Sequence, residues 1–296
     1  MPSADFRISN QMLVNQSLAA LQDNLTKLSD LQSEASSLKK LQKPSDAPAD
    51  VVSAMALHAD MNRNDQYSVN IDDASAWLGS ADSALTSAVT QLQRVRDLVV
   101  QARNTATDST ARAGIASEID SIRSTLIGIA NSQYAGRPIF GGTVSGGAAY
   151  DASGGYIGTS ASVERSIAPG QRVQVNVNGD DVFGKPGSDL FSLLGQISAA
   201  VQTNPSQLDT LAPTLDTSVQ TVQTQLAQVG ARFNRVESMK TQNTSDGLTM
   251  KQNLSTIEDA DLAQVMMNLQ TQQVAYQAAL EATARSIQPS LADFLK

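Results

Sequence analysis

Residues 71–102 read IDDASAWLGSADSALTSAVTQLQRVRDLVVQA, and apolar side chains recur in them alternately three and four apart: Ile71, Ala74, Leu78, Ala81, Leu85, Ala88, Leu92, Val95, Val99 and Ala102. A spacing held over so many turns is that of a rod-like bundle or coiled coil. Asp108-Ser109-Thr110 supplies a break and a new cap, after which Ile115, Ile119, Ile122, Leu126 and Ile129 repeat the period on a shorter helix. Two amphipathic helices with a short polar link predict an antiparallel hairpin. Past Asn204-Pro205 the seam returns in Leu208, Leu211, Leu215, Val219, Val222, Leu226, Val229, Phe233 and Val236, and Ser255-x-x-Glu258 reads as a capping box opening a terminal helix.

Both ends carry thinner versions of the stripe. Val14, Leu18, Leu21, Leu25 and Leu28 mark the first; Leu262, Met266, Leu269, Tyr276, Leu280 and Ile287 mark the last, with Gln273 and Thr283 interrupting it. A stripe this narrow needs a partner helix, so each end pairs with the other or with a neighbouring molecule. An ordinary intramolecular bundle is the plainer alternative. Lys43-Pro44-Ser45-Asp46-Ala47-Pro48 separates the first stripe from the rod, because two prolines fix φ and disfavour helix before them. Ser45 or Asp46 is then a cap, with Pro48 in the first turn.

Between residues 136 and 187 the texture changes to short stretches punctuated by glycine, and the period drops to two. Arg172 to Asn178 alternates and ends in Asn178-Gly179, which reads as a strand entering a hairpin; Ile139-Phe140, Ala148 to Tyr150 and Ser162 to Ile167 are weaker strand candidates. The expected fold is mainly α with a β insert, an elongated antiparallel bundle of long helices. The near-palindromic order pairs the N- and C-terminal helices and puts a small β subdomain at the distal end. The divisions are terminal assembly helices at 1–43 and 255–296, a long helical hairpin at 44–135, the β subdomain at 136–188 and returning rod helices at 189–254.

Composition agrees with slender helical packing: the 296 residues are only 4% aromatic, with a single Trp, Trp77. The formal charge of -8 and scattered basic residues exclude a nucleic-acid surface. Cysteine is absent, which removes disulfides, thiolate metal sites and cysteine nucleophiles together. No apolar run approaches the about 20 residues of a membrane span, and the opening residues lack the basic and apolar parts of a cleaved signal. Glu258, Asp259 and Asp261 read as acids at a helix N-terminus; Asp72-Asp73 and Asp180-Asp181 read as solvated acids. His58 is the one histidine and has no catalytic companions in the sequence. The glycines at 141–142 and 154–155 match neither a phosphate loop nor a dinucleotide fingerprint. No catalytic residue, cofactor or metal is expected.

Four local patterns resemble the flagellin-like proteins of the bacterial flagellum. They are Arg7-Ile8-Ser9-Asn10 ahead of a Gln-, Asn- and Leu-rich helix; Leu41 to Pro48 with its Pro-Ser-Asp turn; Tyr134 to Gly142; and Leu254 to Leu262 with the closing Ser290 to Leu295. The match covers the helical parts, and the β insert agrees only in type. Pro2 to Phe6 precede the usual start, Leu38 stands where the family often has Gly, Ala47 replaces an Asp, and Pro289 interrupts the last helix. The resemblance is to members between hook and filament. It implies a structural, non-enzymatic subunit outside the cell, exported by the flagellar type III apparatus without a cleaved signal. The implied partners are further copies of itself, the first hook-associated protein, flagellin and an export chaperone. A small flagellin, or an adhesin displayed through the β insert, are the alternatives.

Overall fold

The structure, a computed structural model, describes residues 4–45, 47–104 and 108–287. Its helices are α1 (Ala4–Ser37), α2 (Pro48–Ala102), α3 (Ser109–Ala130), α4 (Gly179–Phe183), α5 (Leu190–Thr203), α6 (Leu208–Glu258) and α7 (Leu262–Ile287). Four short strands lie between α3 and α4: β1 (Gln133–Tyr134), β2 (Arg137–Pro138), β3 (Glu164–Ala168) and β4 (Gln171–Gln174). The chain divides into two compact units, Asn62–Gly247 and the two ends, Met1–Met61 with Leu248–Lys296.

Within Asn62–Gly247, α2 and α6 run antiparallel. Polar rungs tie them: Lys240 to Asp72 at 2.9 Å, Ser75 donating to Glu237 at 2.8 Å, Arg96 to Asp216 at 3.0 Å, and Arg103 to Asp209. All ten apolar residues of the 71–102 stripe are buried, as are Leu215, Val222, Val229 and Val236 of α6. The alanines at 74, 81, 88 and 102 leave room for the opposing axis, so a closed seam forms with few rings. Asp108 caps α3, its Oδ1 accepting from Ala111 N at 2.6 Å, and α3 buries Ile115, Ile119, Ile122 and Leu126. Against α3 lies α5, where the buried Ser198 donates to the carbonyl of Ala116 at 3.3 Å.

The rings gather elsewhere. Phe183 and Phe191 pack on Tyr150 and Phe140 packs on Phe183, with centroid distances of 5.1 to 5.7 Å, mostly edge to face, which is the favoured geometry for aromatic quadrupoles. Burial raises the Tyr150 hydroxyl far above its ordinary range. This cluster is the small core of the β region.

The strands form two separate antiparallel pairs, β1–β2 and β3–β4. Of the alternating run 172–178 only Arg172 to Gln174 lie in a strand, β4, and that strand leaves a hairpin and does not enter one. The turn sits before it at Pro169-Gly170, where Gly170 has φ 70°. Asn178-Gly179 instead leads into α4. Its glycine is required by packing, since a Cβ there would lie 2.3 Å from Tyr150 Oη. Of the weaker candidates, Ser162 to Ile167 overlaps β3, Tyr150 makes only an isolated bridge to Tyr156, and Ile139-Phe140 follows β2 as a turn.

Beyond β4 the pairing with the 161–163 segment rests on one backbone bond, Val175 N donating to Val163 O at 2.9 Å, and on the side chain of Asn176. Asn176 is fully buried; its Oδ1 accepts from Val163 N at 2.7 Å and its Nδ2 donates to the Ala161 carbonyl at 2.9 Å. Asn176→Ala leaves both backbone groups without a partner, at about 1 to 3 kcal/mol each. Urea unfolding followed by the fluorescence of Trp77 should therefore show a loss on the order of 3 kcal/mol, whereas Gln174→Ala should cost under about 1 kcal/mol.

Candidate functional site

The end unit has almost no closed core. Among its described apolar residues only Ala54, Leu254 and Val265 are buried. What holds it is the pairing of α1 with α7.

The packed seam of that pair runs Val14, Ser17, Leu21, Asn24, Leu28, Leu31 and Ala35 on α1, and Val265, Leu269, Gln272, Tyr276, Ala279 and Thr283 on α7. Both sets alternate three and four apart, as a two-helix seam requires. Asn24 meets Gln272 across it: Gln272 Nε2 donates to Asn24 Oδ1 at 3.0 Å and to its carbonyl at 3.2 Å. The sequence stripe is thus divided. Val14, Leu21, Leu28, Leu269 and Tyr276 face the partner helix. Leu18, Leu25, Met266 and Leu280 lie one position off the seam and Leu262 stands at its end as the first residue of α7; all five remain 43 to 51% exposed. Ile287 is the last residue of α7, and its side chain lies outside the described residues.

α1 ends at Ser37, and Leu38 follows with φ 57°, a left-handed conformation that a side chain resists by about 1 to 2 kcal/mol. Leu38 N still closes the helix on Glu34 O at 2.9 Å. Pro44 and Ser45 are exposed and Pro48 is the first residue of α2, as expected; Asp46 lies outside the described residues. Pro289 and the closing Ser290 to Leu295 lie outside them as well.

Ser255 and Glu258 do not form a capping box. α6 continues through them to Glu258 because nothing between 245 and 258 breaks a helix, and Ser and Glu are tolerated inside one. The cap of α7 is Asp261, whose Oδ1 accepts from Ala263 N at 2.9 Å and Gln264 N at 3.3 Å. Glu258 instead binds Lys39 and His58, a contact between residues some two hundred positions apart that no local pattern announces.

The other acids have structural partners: Asp73 takes Arg165 at 2.6 Å, Asp180 accepts from Ser160 at 3.1 Å, and Asp181 accepts from Asn178 at 3.4 Å. Among the described residues no three His, Cys, Asp or Glu side chains converge to hold a metal ion. The arrangement that stands out is a helix pair with a second, uncovered apolar face.

The helical segments at both ends match known proteins. Residues 8–145 match the bacterial flagellin N-terminal helical region, and residues 213–295 match the bacterial flagellin C-terminal helical region. The chain belongs to the flagellin family. Flagellar hook-associated protein 3 of Salmonella typhimurium is 26% identical over 298 residues, covering 92% of this chain and 94% of that protein. The flagellin of Bacillus subtilis is 26% identical over 303 residues, covering 94% and 97%. Among solved structures, a flagellar hook-associated protein from Vibrio parahaemolyticus superposes with a TM-score of 0.66 at 21% identity, over 72% of this chain and 100% of that one. The FlgL structure from Bacillus cereus gives 0.61 at 23% identity, over 68% and 99%. As a member of the flagellin family the chain is a structural, non-enzymatic component of the flagellum.

In this flagellin-family chain the polar pair Asn24–Gln272 sets the register of the terminal helices. Asn24→Leu should stabilise the α1·α7 pair by about 1 kcal/mol yet let it slide by a heptad, about 10 Å along the axis. Spin labels on cysteines placed at the exposed Gln22 and Gln273 should report one distance in the parent and two in the Asn24→Leu protein.

Proposed function

We propose that this chain is the structural subunit that polymerises at the hook-filament junction and joins the hook-side protein to the flagellin filament. The observation that carries the proposal is the divided stripe of the terminal helices, one seam closed and one face open. Near full-length likeness to hook-associated protein 3 of Salmonella typhimurium and Escherichia coli supports it. In this reading segments 1–43 and 255–296 are the assembly helices, and Pro44, Ser45, Asp46 and Pro48 form the turn that links them to the rod segments 44–135 and 189–254. The β segment 136–188 is displayed by the rod. Val14, Leu21, Leu28, Leu269 and Tyr276 close the pair, with Ile287 assigned to the same stripe. Leu18, Leu25, Leu262, Met266 and Leu280 meet neighbouring copies, the first hook-associated protein and flagellin. An export chaperone guards the C-terminal helix until the chain leaves through the type III apparatus, and no cleaved signal is used.

The second reading is a small flagellin, favoured by the equally long match to the Bacillus subtilis protein. Seeding separates the two, because a filament subunit elongates on filament fragments without limit and a junction subunit does not. A strain lacking the gene should still build hooks while flagellin escapes into the medium; normal filaments in that strain would overturn the junction reading. Leu25→Gln should change the stability of the isolated protein by under about 0.5 kcal/mol and yet abolish filament attachment. Leu269→Gln should weaken the α1·α7 pair itself by about 1 to 2 kcal/mol, read as increased amide exchange in both helices.

A further inference from the structure

The turn between α6 and α7 is fastened to the exit of α1 by very little backbone. Lys39 and Asp259 form an isolated antiparallel bridge: Lys40 N donates to Glu258 O at 2.7 Å and Ala260 N to Leu38 O at 3.0 Å. Two such bonds do not hold chain segments together in water without side-chain support. Apolar support is thin here, since Leu38 is 49% exposed. A cleft of about 220 Å³ opens beside it, walled by Leu41, Pro44, Val51, Ala54, Met55 and His58.

The support comes from charge. Glu258 is claimed from two sides, its Oε1 by His58 Nε2 of α2 at 2.8 Å and its Oε2 by Lys39 Nζ at 3.1 Å. Lys39 Nζ also reaches Asp259 Oδ1 at 2.6 Å. The two carboxylates are not equivalent. Lys39 and Asp259 are both nearly half exposed, and such pairs contribute little to stability. The Glu258 side chain is only 17% exposed, so its two charge-assisted bonds are the stronger ones and their loss the costlier.

We infer that Lys39, His58, Glu258 and Asp259 form an acid- and salt-labile latch, with Glu258 as its keystone, that fastens the exit of α1 to the α6–α7 turn. The groups facing one another are His58 from α2, Lys39 from the α1–α2 connection, and the two carboxylates of the turn. Lys43 lines the same cleft but bonds to Asp30 of α1 at 3.1 Å, and Asp261 is occupied as the α7 cap.

The direction of the pH dependence follows from the same contacts. Burial pushes the Glu258 carboxyl up, but hydrogen bonds from His58 and Lys39 and their charges outweigh it and hold the group below its ordinary value. Asp259 is held down chiefly by the hydrogen bond from Lys39. Lys39 is raised, first by Asp259 and then by Glu258. A depressed carboxyl stabilises the folded form above its unfolded pKa and ceases to do so as pH falls through its folded one. A raised lysine stabilises below its unfolded pKa and ceases to as pH rises through its folded one. The latch is therefore closed between about pH 5 and pH 10 and opens in acid. It stands whether or not the junction reading does.

Amide exchange by mass spectrometry on the full chain tests it at pH 7 in low salt. Glu258→Gln should accelerate exchange at 38–41 and 259–266 by about tenfold, with α3 and α5 unchanged. Lys39→Met should do the same to a smaller degree, Lys39→Arg should not, and the parent protein in 1 M NaCl should move toward the Glu258→Gln pattern. Unchanged exchange in Glu258→Gln, or equal acceleration throughout both units, overturns the latch. Parent exchange at about pH 2.5, below the ordinary range of both carboxyls, that equals the pH 7 rates once intrinsic rates are divided out overturns its acid sensitivity.

Discussion

Two helices can close only one seam between them, and α1 and α7 carry more apolar surface than one seam covers. The polar residues Ser17, Asn24 and Gln272 sit inside the seam while Leu18, Leu25, Met266 and Leu280 sit just outside it and Leu262 at its end. Each of those five is about half exposed. Completing their burial is worth on the order of 1 kcal/mol apiece, about 5 kcal/mol in all. Association of two proteins costs about 4 to 15 kcal/mol in lost freedom. Two copies laid face to face on this surface gain about 10 kcal/mol, inside the range of that cost, so a single such contact is marginal. Contact with several neighbours at once changes the balance, because once the first contact has brought a subunit into place the later ones are effectively intramolecular. The physics of the face thus favours a layer or tube of subunits over an isolated dimer.

The unit Asn62–Gly247 obeys the opposite rule. Its seam from Ile71 to Ala102 is closed along its whole length by α6, and α3 and α5 add their own apolar faces to the same core. No comparable row of half-exposed leucines interrupts it. Ala at 74, 81, 88 and 102, with Val at 95 and Leu, Ile or Val between, makes the packing tight with Trp77 as its one fully buried ring, which is how a chain of so few aromatics sustains a core. The rings that exist are concentrated where the backbone is irregular. Tyr150, Phe140, Phe183 and Phe191 fill the space that short strands and glycine turns cannot fill by regular packing.

Periodicity made the helices legible and left their exact faces open. For α2 all ten residues of the stripe are buried, with Trp77, Ala84 and Leu98 beside them, because a long apolar seam has only one way to face a core. For α1 and α7 the stripe is divided: Val14, Leu21, Leu28, Leu269 and Tyr276 lie in the seam while its other leucines do not, because Asn24 and Gln272 satisfy each other across the seam and so occupy a place that leucine would otherwise take. Ser255 and Glu258 matched a capping box by residue type, yet a helix starts where the preceding one stops, and nothing stopped α6 before Glu258. Asn178-Gly179 matched a hairpin turn, but its glycine answers to Tyr150, a neighbour that no window of sequence shows. The contacts of Glu258 with Lys39 and His58 are beyond local reading for the same reason: they join segments far apart in the chain.

Local strain and charge converge at the end of α1. Leu38 adopts a conformation suited to glycine, and its neighbours Lys39 and Lys40 meet the turn that begins α7 through two backbone bonds and a set of ion pairs. A glycine at 38 would remove the strain but give the exit more freedom in the unfolded state. Leucine keeps that segment stiffer, and the cost is met by the charges on Glu258 and Asp259 without a hydrophobic core. A connection held by charge differs in kind from one held by burial. Acid or salt weakens it, and the same conditions leave the closed seam of α2 and α6 intact, because apolar burial does not depend on carboxylate ionisation and salt, if anything, strengthens it. The chain thereby separates what must stay folded from what must be able to rearrange.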